Sequence, residues 1–351
     1  ASVLITASGA MPTDFMKVAG PSYTTVAINV SSTTKWGNLR YRVALALDNT
    51  GSMASASKMA ELKTAATTLI TDFYNMAGSD ADVYISIVPF SRDVNIGTDM
   101  KNEHWVRWTE WEEVNGSCNG DSSKKSKTAC QAVGRTWNPA NHNTWNGCVM
   151  DRDKNYDTTS HALNNTDVGT MAPAHQYTDC PVSVLGMTPV RSQKQTLLDK
   201  ITAMTPVGTT NQSIGLFWAW QTLKTAGPFI GPSKSSAHTY MDVVILLTDG
   251  LNTENRWDSG CTYWGTFLLG CGHATAVDDR QELLCGNLKA TGVKIFAIQV
   301  ATDNDPVSTV TKNCTTEPNN PNYFSYITQA NQMTVKFQNI FKELARLRVS
   351  S

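Results

Sequence analysis

The sequence predicts an α/β protein with a doubly wound, mostly parallel sheet, an amino-terminal β-rich appendage and a disulfide-rich insertion. Apolar runs of strand length alternate with segments of helical periodicity over most of the 351 residues. Buried strands that alternate with helices are typical of a parallel sheet covered on both faces. The alternation fails over residues 92–191, which hold four of the eight cysteines and five of the ten tryptophans.

The first ninety or so residues predict strands, one helix and a boundary between two units. VLITAS and TTVAINV have the β-branched content of strands and are divided by a Gly20-Pro21 turn, so residues 1–39 form the appendage. YRVALALD is a nearly continuous apolar run that ends at Asp48, as expected for a strand covered on both faces. Residues 57–77 carry one apolar stripe at helical spacing, and DVYISIVPFS is the next strand. The first part of the main domain is therefore 40–91.

The alternation resumes after the insertion and continues almost to the end of the chain. Helices are predicted for SQKQTLLDKITAM, NQSIGLFWAWQTLKT, TAVDDRQELLCGNLKATG and NQMTVKFQNIFKELARL, and strands for MDVVILLTDG, KIFAIQV and NYFSYIT. We assign residues 192–346 to the second part of the main domain. The last residues, 347–351 (LRVSS), are expected to form a strand or tail that returns to the appendage.

The segment 92–191 is too long for a structureless loop in a compact domain, so we interpret it as a disulfide-stapled module packed around its tryptophans. The run WVRWTEWEE at 105–113 would also suit a sugar-binding platform, but core packing is the favoured interpretation. DRDKNYD at 151–157 resembles the start of a calcium loop. It lacks the later glycine and acid of such loops, and a solvated polar loop is the favoured interpretation.

The cysteines indicate the compartment. Their number is even and none has CxxC spacing, which favours four disulfides over free thiols or metal ligands. Disulfides imply an extracytoplasmic location: the periplasm, the outer surface or secretion. Sequence alone does not fix the pairing. We expect the local pair Cys261–Cys271, and the pair Cys285–Cys314, which would tie a helix to the loop after the next strand.

Charge and motif content argue against several classes of function. With 29 basic and 30 acidic residues the net charge is −1, so no field of one sign would draw the chain to nucleic acid or an anionic membrane. No GxSxG, P-loop or GxGxxG motif is present and the six histidines have no ligand spacing, which argues against an enzyme. No apolar run reaches the length of a membrane span. The sequence does not decide whether a membrane anchor precedes Ala1.

Three loops carry the polar groups that point to a metal ion. They are 48–52 (DNTGS), 208–211 (GTTN) and 248–250 (TDG), each next to the end of a predicted strand or the start of a helix. Because ligands bind at the carboxyl ends of the strands in an open α/β sheet, these loops should converge. They offer two carboxylates and several hydroxyls without imidazole or thiolate, a ligand set that suits Mg²⁺, Ca²⁺ or Mn²⁺. The alternative is that Asp48 caps a helix and Asp249 lies in a plain turn.

LALDNTGSM resembles the DxSxS signature of von Willebrand factor A domains, with Thr50 in place of the middle serine, and VGTTN and LLTDG resemble their second and third loops. The resemblance covers about residues 40–346 apart from the insertion. It implies a metal-ion-dependent adhesion site, in which a carboxylate from a protein partner completes the coordination of the metal. Thr209 is the less favoured alternative for the switchable ligand of the second loop. The implied metal-binding residues are Asp48, Thr50, Ser52, Thr210 and Asp249.

A narrower resemblance concerns TTNQSIGLFWAWQTL, VPFSRDVNIG, WNGCVMDRD and FQNIFKELARLRVS, which look like TadG-type proteins of bacterial tight-adherence (Flp) pilus assembly. Those proteins have a membrane anchor, a small β region and an extracytoplasmic A domain. The resemblance implies metal-dependent adhesion or assembly in the cell envelope, through a partner that offers an acidic residue. The alternative is a structural component in which the metal only stabilises a loop. A hydrolase that uses Glu112 or Asp151 is disfavoured.

Overall fold

The computed structural model describes residues 2–13, 25–35, 39–265 and 267–350. Its strands are β1 (Ser2–Pro12), β2 (Thr25–Lys35), β3 (Leu39–Asp48), β4 (Val83–Phe90), β5 (Val94–Asn95), β6 (Val106–Arg107), β7 (Gly116–Cys118), β8 (Trp137–Pro139), β9 (Cys148–Val149), β10 (Ala172–Pro173), β11 (Leu185–Pro189), β12 (Thr239–Thr248), β13 (Cys261–Trp264), β14 (Phe267–Cys271), β15 (Lys294–Val300) and β16 (Phe324–Ile327). Its α-helices are α1 (Lys58–Met76), α2 (Thr109–Val114), α3 (Lys127–Gln131), α4 (Lys194–Ala203), α5 (Gln212–Thr222), α6 (Thr275–Ala290), α7 (Thr309–Cys314) and α8 (Met333–Ser350).

The main sheet has the doubly wound arrangement expected from the sequence. Its strand order is β16-β15-β12-β3-β4, with all of these neighbours parallel. Beyond them, β11 pairs antiparallel with β4, and β5 and β9 extend the sheet from the end of β4. The crossover helices α1, between β3 and β4, and α6, between β12 and β15, were predicted, whereas the short helix α7 between β15 and β16 was not.

Alternate residues of the central strands face two different cores, which is why the apolar run of β3 is nearly continuous. Val43, Leu45 and Leu47 pack with residues of α1, α4 and α8 on one face. Ala44 and Ala46 pack with residues of α5 and α6 on the other. These small side chains leave room for α5, which is buried on every side.

The 92–191 segment packs onto the α5 side of the sheet. Trp105, Trp111 and Trp145 are buried in the same core as α5, which confirms the interpretation of these residues as core. The expectation of a solvated loop at 151–157 was wrong, because Asp151, Arg152 and Asp157 are buried. Hydrogen-bond partners make that burial possible: Asn211 for Asp151 and Arg280 for Asp157, both from distant segments, and nearby backbone carbonyls for Arg152.

Four disulfides are formed and no described cysteine is free. Cys261–Cys271 and Cys285–Cys314 pair as expected. The other two, Cys118–Cys130 and Cys148–Cys180, lie within the 92–191 segment. Disulfides of this number are typical of proteins that fold in an oxidising, extracytoplasmic compartment.

Two other element assignments also differ from the sequence prediction. Leu185–Pro189, within the expected insertion, is the antiparallel strand β11 of the main sheet. This short, half-buried strand has no alternating apolar pattern of its own, and its extended conformation depends on pairing with β4. Residues 347–350 continue α8 instead of forming a strand or tail, because extending an established helix costs less than starting a new element.

The amino-terminal strands β1 and β2 pair antiparallel, from Ser2 opposite Lys35 to Pro12 opposite Thr25. The predicted Gly20-Pro21 turn lies outside the described residues. Across the described ranges, no helix combines the length and the hydropathy that a membrane span requires.

Candidate metal site

The three polar loops meet at the carboxyl edge of the sheet. Asp48 is the last residue of β3 and Thr248 is the last residue of β12, and Leu47 lies opposite Leu247 in the parallel pair. The loop 208–211 joins them directly, since the amide of Gly51 donates to the carbonyl of Gly208 at 2.9 Å. Gly208 has a φ of +76°, and a Cβ atom there would lie only 2.7 Å from the Tyr177 hydroxyl oxygen. The glycine at 208 thus allows the second loop to take this path beside the first.

A chain of short hydrogen bonds connects the predicted ligands. The Thr50 hydroxyl donates to Asp48 Oδ1 at 2.6 Å and lies 3.0 Å from Ser52 Oγ. Ser52 Oγ donates to Asp249 Oδ1 at 2.7 Å, and the Thr248 hydroxyl donates to Asp48 Oδ2 at 2.8 Å. The structure therefore brings Asp48, Thr50, Ser52 and Asp249 together, although they belong to loops about 200 residues apart.

The two carboxylates are held in an unfavourable environment. Asp48 is fully buried and Asp249 is 2% exposed. Burial, and then the charge of Asp249, raises the pKa of Asp48 to about 7. Burial also raises the pKa of Asp249, against the opposing effect of Lys58. Two buried carboxylates in contact through hydroxyl groups are an arrangement that a positive ion stabilises.

Lys58, the first residue of α1, is a member of the site that the sequence analysis missed. Its ammonium lies 2.7 Å from Asp249 Oδ2 and 2.8 Å from Asp303 Oδ2, and its side chain is fully buried. Only the contact with Asp303 has hydrogen-bond geometry, so Asp249 Oδ2 is a buried oxygen paired by charge, with no hydrogen-bond donor among the described residues. Burial alone would lower the pKa of Lys58, but the contacts with both aspartates outweigh it and raise the pKa.

The chain must bend sharply to place Lys58 there. Ala56 and Ser57, the two residues before it, adopt left-handed backbone conformations with φ of 49° and 60°. Such conformations cost about 1 kcal/mol or more each for residues other than glycine. The strain lies directly between the polar loop 48–52 and α1, so it connects the position of Lys58 to that loop.

The two threonines of the second loop have different surroundings. Thr210 lines the pocket at the site. Its amide donates to the Thr253 hydroxyl, and its carbonyl accepts from the Thr253 amide. The Thr209 hydroxyl donates to Glu254 Oε2 at 3.1 Å and is not among the residues that line the pocket. The structure thus places Thr210, the favoured ligand, at the site.

A pocket of about 220 Å³ opens onto these residues. It is lined by Ser52, Thr210, Asp249, Gly250, Leu251, Thr253, Cys271, Gly272, His273, Asp303 and Asp305. In the described ranges no cluster of three or more His, Cys, Asp or Glu side chains is arranged for a metal ion. The site instead combines two carboxylates with hydroxyls, and this set of oxygen donors fits a hard divalent cation.

The fold resembles that of a pilus adhesin. The open conformation of SpaC from Lactobacillus rhamnosus GG aligns with a TM-score of 0.50 and 13% identity, over 98% of this chain and 34% of SpaC. The chain thus spans about a third of that adhesin. Identity at this level shows a shared fold alone.

Two other solved structures have lower TM-scores. One is the vWF domain of the type V pili tip protein Mfa5 from Porphyromonas gingivalis, with a TM-score of 0.47 and 11% identity, over 88% of this chain and 96% of that domain. The other is proximal thread matrix protein 1 from the mussel byssus with zinc in its MIDAS motif, with a TM-score of 0.41 and 13% identity, over 87% of this chain and 48% of that one. No protein-family model matches the chain, and no curated protein matches it.

Proposed function

We propose that this chain is a metal-dependent adhesion or assembly protein of the bacterial cell envelope, which binds a protein partner through a divalent cation at a von Willebrand A-type site. The observation that carries the proposal is the convergence of Asp48, Thr50, Ser52 and Asp249 at the carboxyl edge of a doubly wound sheet. Thr210 lies at the same pocket. We place the protein in tight-adherence pilus biogenesis or surface attachment, on the sequence resemblance to TadG-type proteins.

Each residue of the site would have a different role in metal binding. Asp48 and Asp249 supply the negative charge, directly or through water, while Thr50 and Ser52 supply neutral oxygens. Thr210, on a separate loop, is the ligand that can change with the binding state. A bound divalent cation would supply the positive charge that accepts a carboxylate from the partner. Ser52 and Thr210 line the pocket, so the partner's acidic side chain would enter there.

A structural role without partner binding at the metal is the second candidate. The position of Lys58 supports this candidate, because its ammonium already balances the negative charge of Asp249. Hydrogen bonds through hydroxyl groups already connect Asp249 to the first loop. Under that hypothesis the site fastens β3, β12 and α1 together, and a metal adds stability only. Loss of Asp48 would then lower stability and leave partner affinity of the folded protein unchanged.

Calorimetric titration of the metal-stripped protein with Mg²⁺, Ca²⁺ and Mn²⁺ tests the proposal. The test variant is Asp48→Ala with Asp249→Ala, and the matched control is Asp199→Ala, which removes an exposed carboxylate on α4. We expect saturable binding in the wild type and the control, and none in the test variant. Near-ultraviolet circular dichroism establishes that each variant is folded. Unchanged binding by a folded double variant would refute the assignment.

A further inference from the structure

A short apolar hairpin stands beside the metal pocket. Its strands β13 and β14 pair antiparallel, from Cys261 opposite Cys271 at the base to Trp264 opposite Phe267 near the tip. The Cys261–Cys271 disulfide closes the base, and the residues that follow it line the metal pocket. We call this element the 261–271 hairpin. The metal-site hypothesis does not use it.

The large side chains of the hairpin are apolar and uncovered. Tyr263, Trp264, Phe267, Leu268 and Leu269 are between 45% and 75% exposed. Successive residues of a strand point to opposite faces, so the pair Trp264–Phe267 lies on one face and the pair Tyr263–Leu268 on the other. Both faces of the hairpin are therefore apolar and exposed to solvent.

Charge is absent from the hairpin, and its polar side chains are few and neutral. Residues 259–272 include no Asp, Glu, Lys or Arg. The Tyr263 hydroxyl donates to Glu254 Oε2 at 2.7 Å, which directs the polar end of this ring to the body of the protein. Trp264 and Phe267, nearer the tip, are the most exposed members. The element thus has no charge, and its most exposed side chains are large and apolar.

This distribution favours a lipid bilayer over a protein surface as the occupant. A protein that packs against one face of a hairpin leaves the other face in water, whereas an acyl layer surrounds both faces. The four residues of β13 extend about 14 Å, enough for the insertion of about 5–10 Å that interfacial elements reach. Trp and Tyr are the side chains enriched at the boundary between headgroups and acyl chains.

We propose that the 261–271 hairpin inserts its tip into the outer layer of a lipid bilayer and holds the protein at a membrane surface. Since the hairpin has no basic residue, attraction to anionic headgroups does not contribute, and apolar burial drives the association. Binding should then be as strong on zwitterionic vesicles as on anionic ones and should change little with salt. This proposal goes beyond the metal-dependent function and does not depend on it.

Vesicle sedimentation of the full chain with its disulfides intact tests the inference. The probes are vesicles of phosphatidylcholine and vesicles of phosphatidylethanolamine with phosphatidylglycerol. The test variant is Trp264→Ser with Phe267→Ser, and the control is Leu283→Ser with Val335→Ser, which removes two apolar side chains that are 54% and 55% exposed on helices α6 and α8. We expect the test variant to partition at least about tenfold less than the wild type, and the control to partition like the wild type.

A second measurement locates the inserted residue. Brominated phosphatidylcholine should quench part of the tryptophan emission of the wild type, and Trp264→Phe should lose that quenching while still sedimenting with vesicles. Three results would overturn the inference: no association with phosphatidylcholine vesicles, equal loss in both double variants, or binding to anionic vesicles that salt abolishes. The first of these would direct attention to a protein cleft as the occupant.

The outcome is separable from that of the metal hypothesis. Asp48→Ala with Asp249→Ala should keep vesicle binding, and a chelator should not release the wild type from vesicles. Conversely, the hairpin variant should keep divalent-cation binding, because none of the predicted metal ligands belongs to the hairpin.

Discussion

The ammonium of Lys58 lies 2.7 Å from Asp249 Oδ2, and both side chains are fully buried. Asp48, Asp249 and Asp303 together carry three negative charges when ionised, and Lys58, which also lies 2.8 Å from Asp303 Oδ2, cancels one of them. A divalent cation would then bring this group to neutrality. As a positive charge beside the metal ligands, Lys58 weakens the binding of the metal on its own and favours an anionic ligand from a partner. Lys58 thus couples the two binding events through charge.

Lys58→Met should increase the affinity of the metal-stripped protein for divalent cations by about tenfold, because a like charge in contact with a ligand is removed. The same change should lower the metal-free stability by about 3 kcal/mol, since Asp249 loses its buried counter-charge. Calorimetry measures the first effect and urea unfolding the second. Lys63→Met, on the same helix and bonded to the carbonyl of Thr202, is the control. A decrease in metal affinity would show that Lys58 instead orients Asp249 for the metal.

Thr210→Ala and Thr209→Ala should have different effects on the metal site. Thr210 lines the pocket with Ser52 and Asp249, so loss of its hydroxyl should weaken divalent-cation binding by about tenfold. The Thr209 hydroxyl bonds to Glu254, so its loss should leave metal affinity unchanged. Titration of both variants with Mg²⁺ and Mn²⁺ compares them. Equal effects of the two substitutions would contradict the assignment of Thr210 as the ligand.

The loops of the site could be predicted because the information for them is local. Each loop follows a buried strand or precedes a helix, and parallel strands bring their carboxyl ends to one edge. The chain order strand–helix–strand therefore placed Asp48 next to Asp249 without knowledge of any distance. The same periodicity predicted the two-sided core around β3, because a strand covered on both faces has an uninterrupted apolar run.

Lys58 could not be predicted in this way, because its burial depends on distant partners and on an unusual turn. Its partner Asp303 lies 245 positions along the chain, and Ala56 and Ser57 adopt conformations that their residue types disfavour. Asp303 did carry a signal, since it follows the end of the predicted strand KIFAIQV, at the same edge of the sheet as Asp48. Strand β11 was missed for a similar reason: its pairing with β4, rather than its own pattern, defines it.

Removal of the Cys285–Cys314 disulfide should destabilise the domain by about 3–4 kcal/mol, as the chain-entropy estimate gives for a loop of this length. The bond closes a loop of 29 positions and connects α6 to the end of α7. Cys285→Ala with Cys314→Ala, compared with the wild type in urea unfolding, measures the loss. Cys261→Ala with Cys271→Ala is a matched comparison, because its loop of 10 positions lies in the exposed hairpin and should cost less. A larger loss from the hairpin pair would contradict this ranking.

Asp151 and Asp153 should give the stability of the protein opposite dependences on pH. Burial, and then the charge of Asp157, raises the pKa of Asp151 from 3.8 to about 7, whereas hydrogen bonds from Arg107 and Arg256 lower the pKa of Asp153. The contribution of Asp151 is therefore fully present below its ordinary pKa and is lost as the pH rises through about 7. The contribution of Asp153 is present above its ordinary pKa and is lost as the pH falls through its lowered value.

The variants Asp151→Asn and Asp153→Asn separate these effects. Relative to the wild type, Asp151→Asn should gain up to about 4 kcal/mol of stability between about pH 4 and pH 8, because an amide has no proton to lose. Asp153→Asn should instead be destabilised more at neutral pH than in acid, since it loses its ion pairs with Arg107 and Arg256. Urea unfolding across this range measures both slopes. A wild-type profile with the same slope as Asp151→Asn would show that Asp151 is already ionised in the folded protein at low pH.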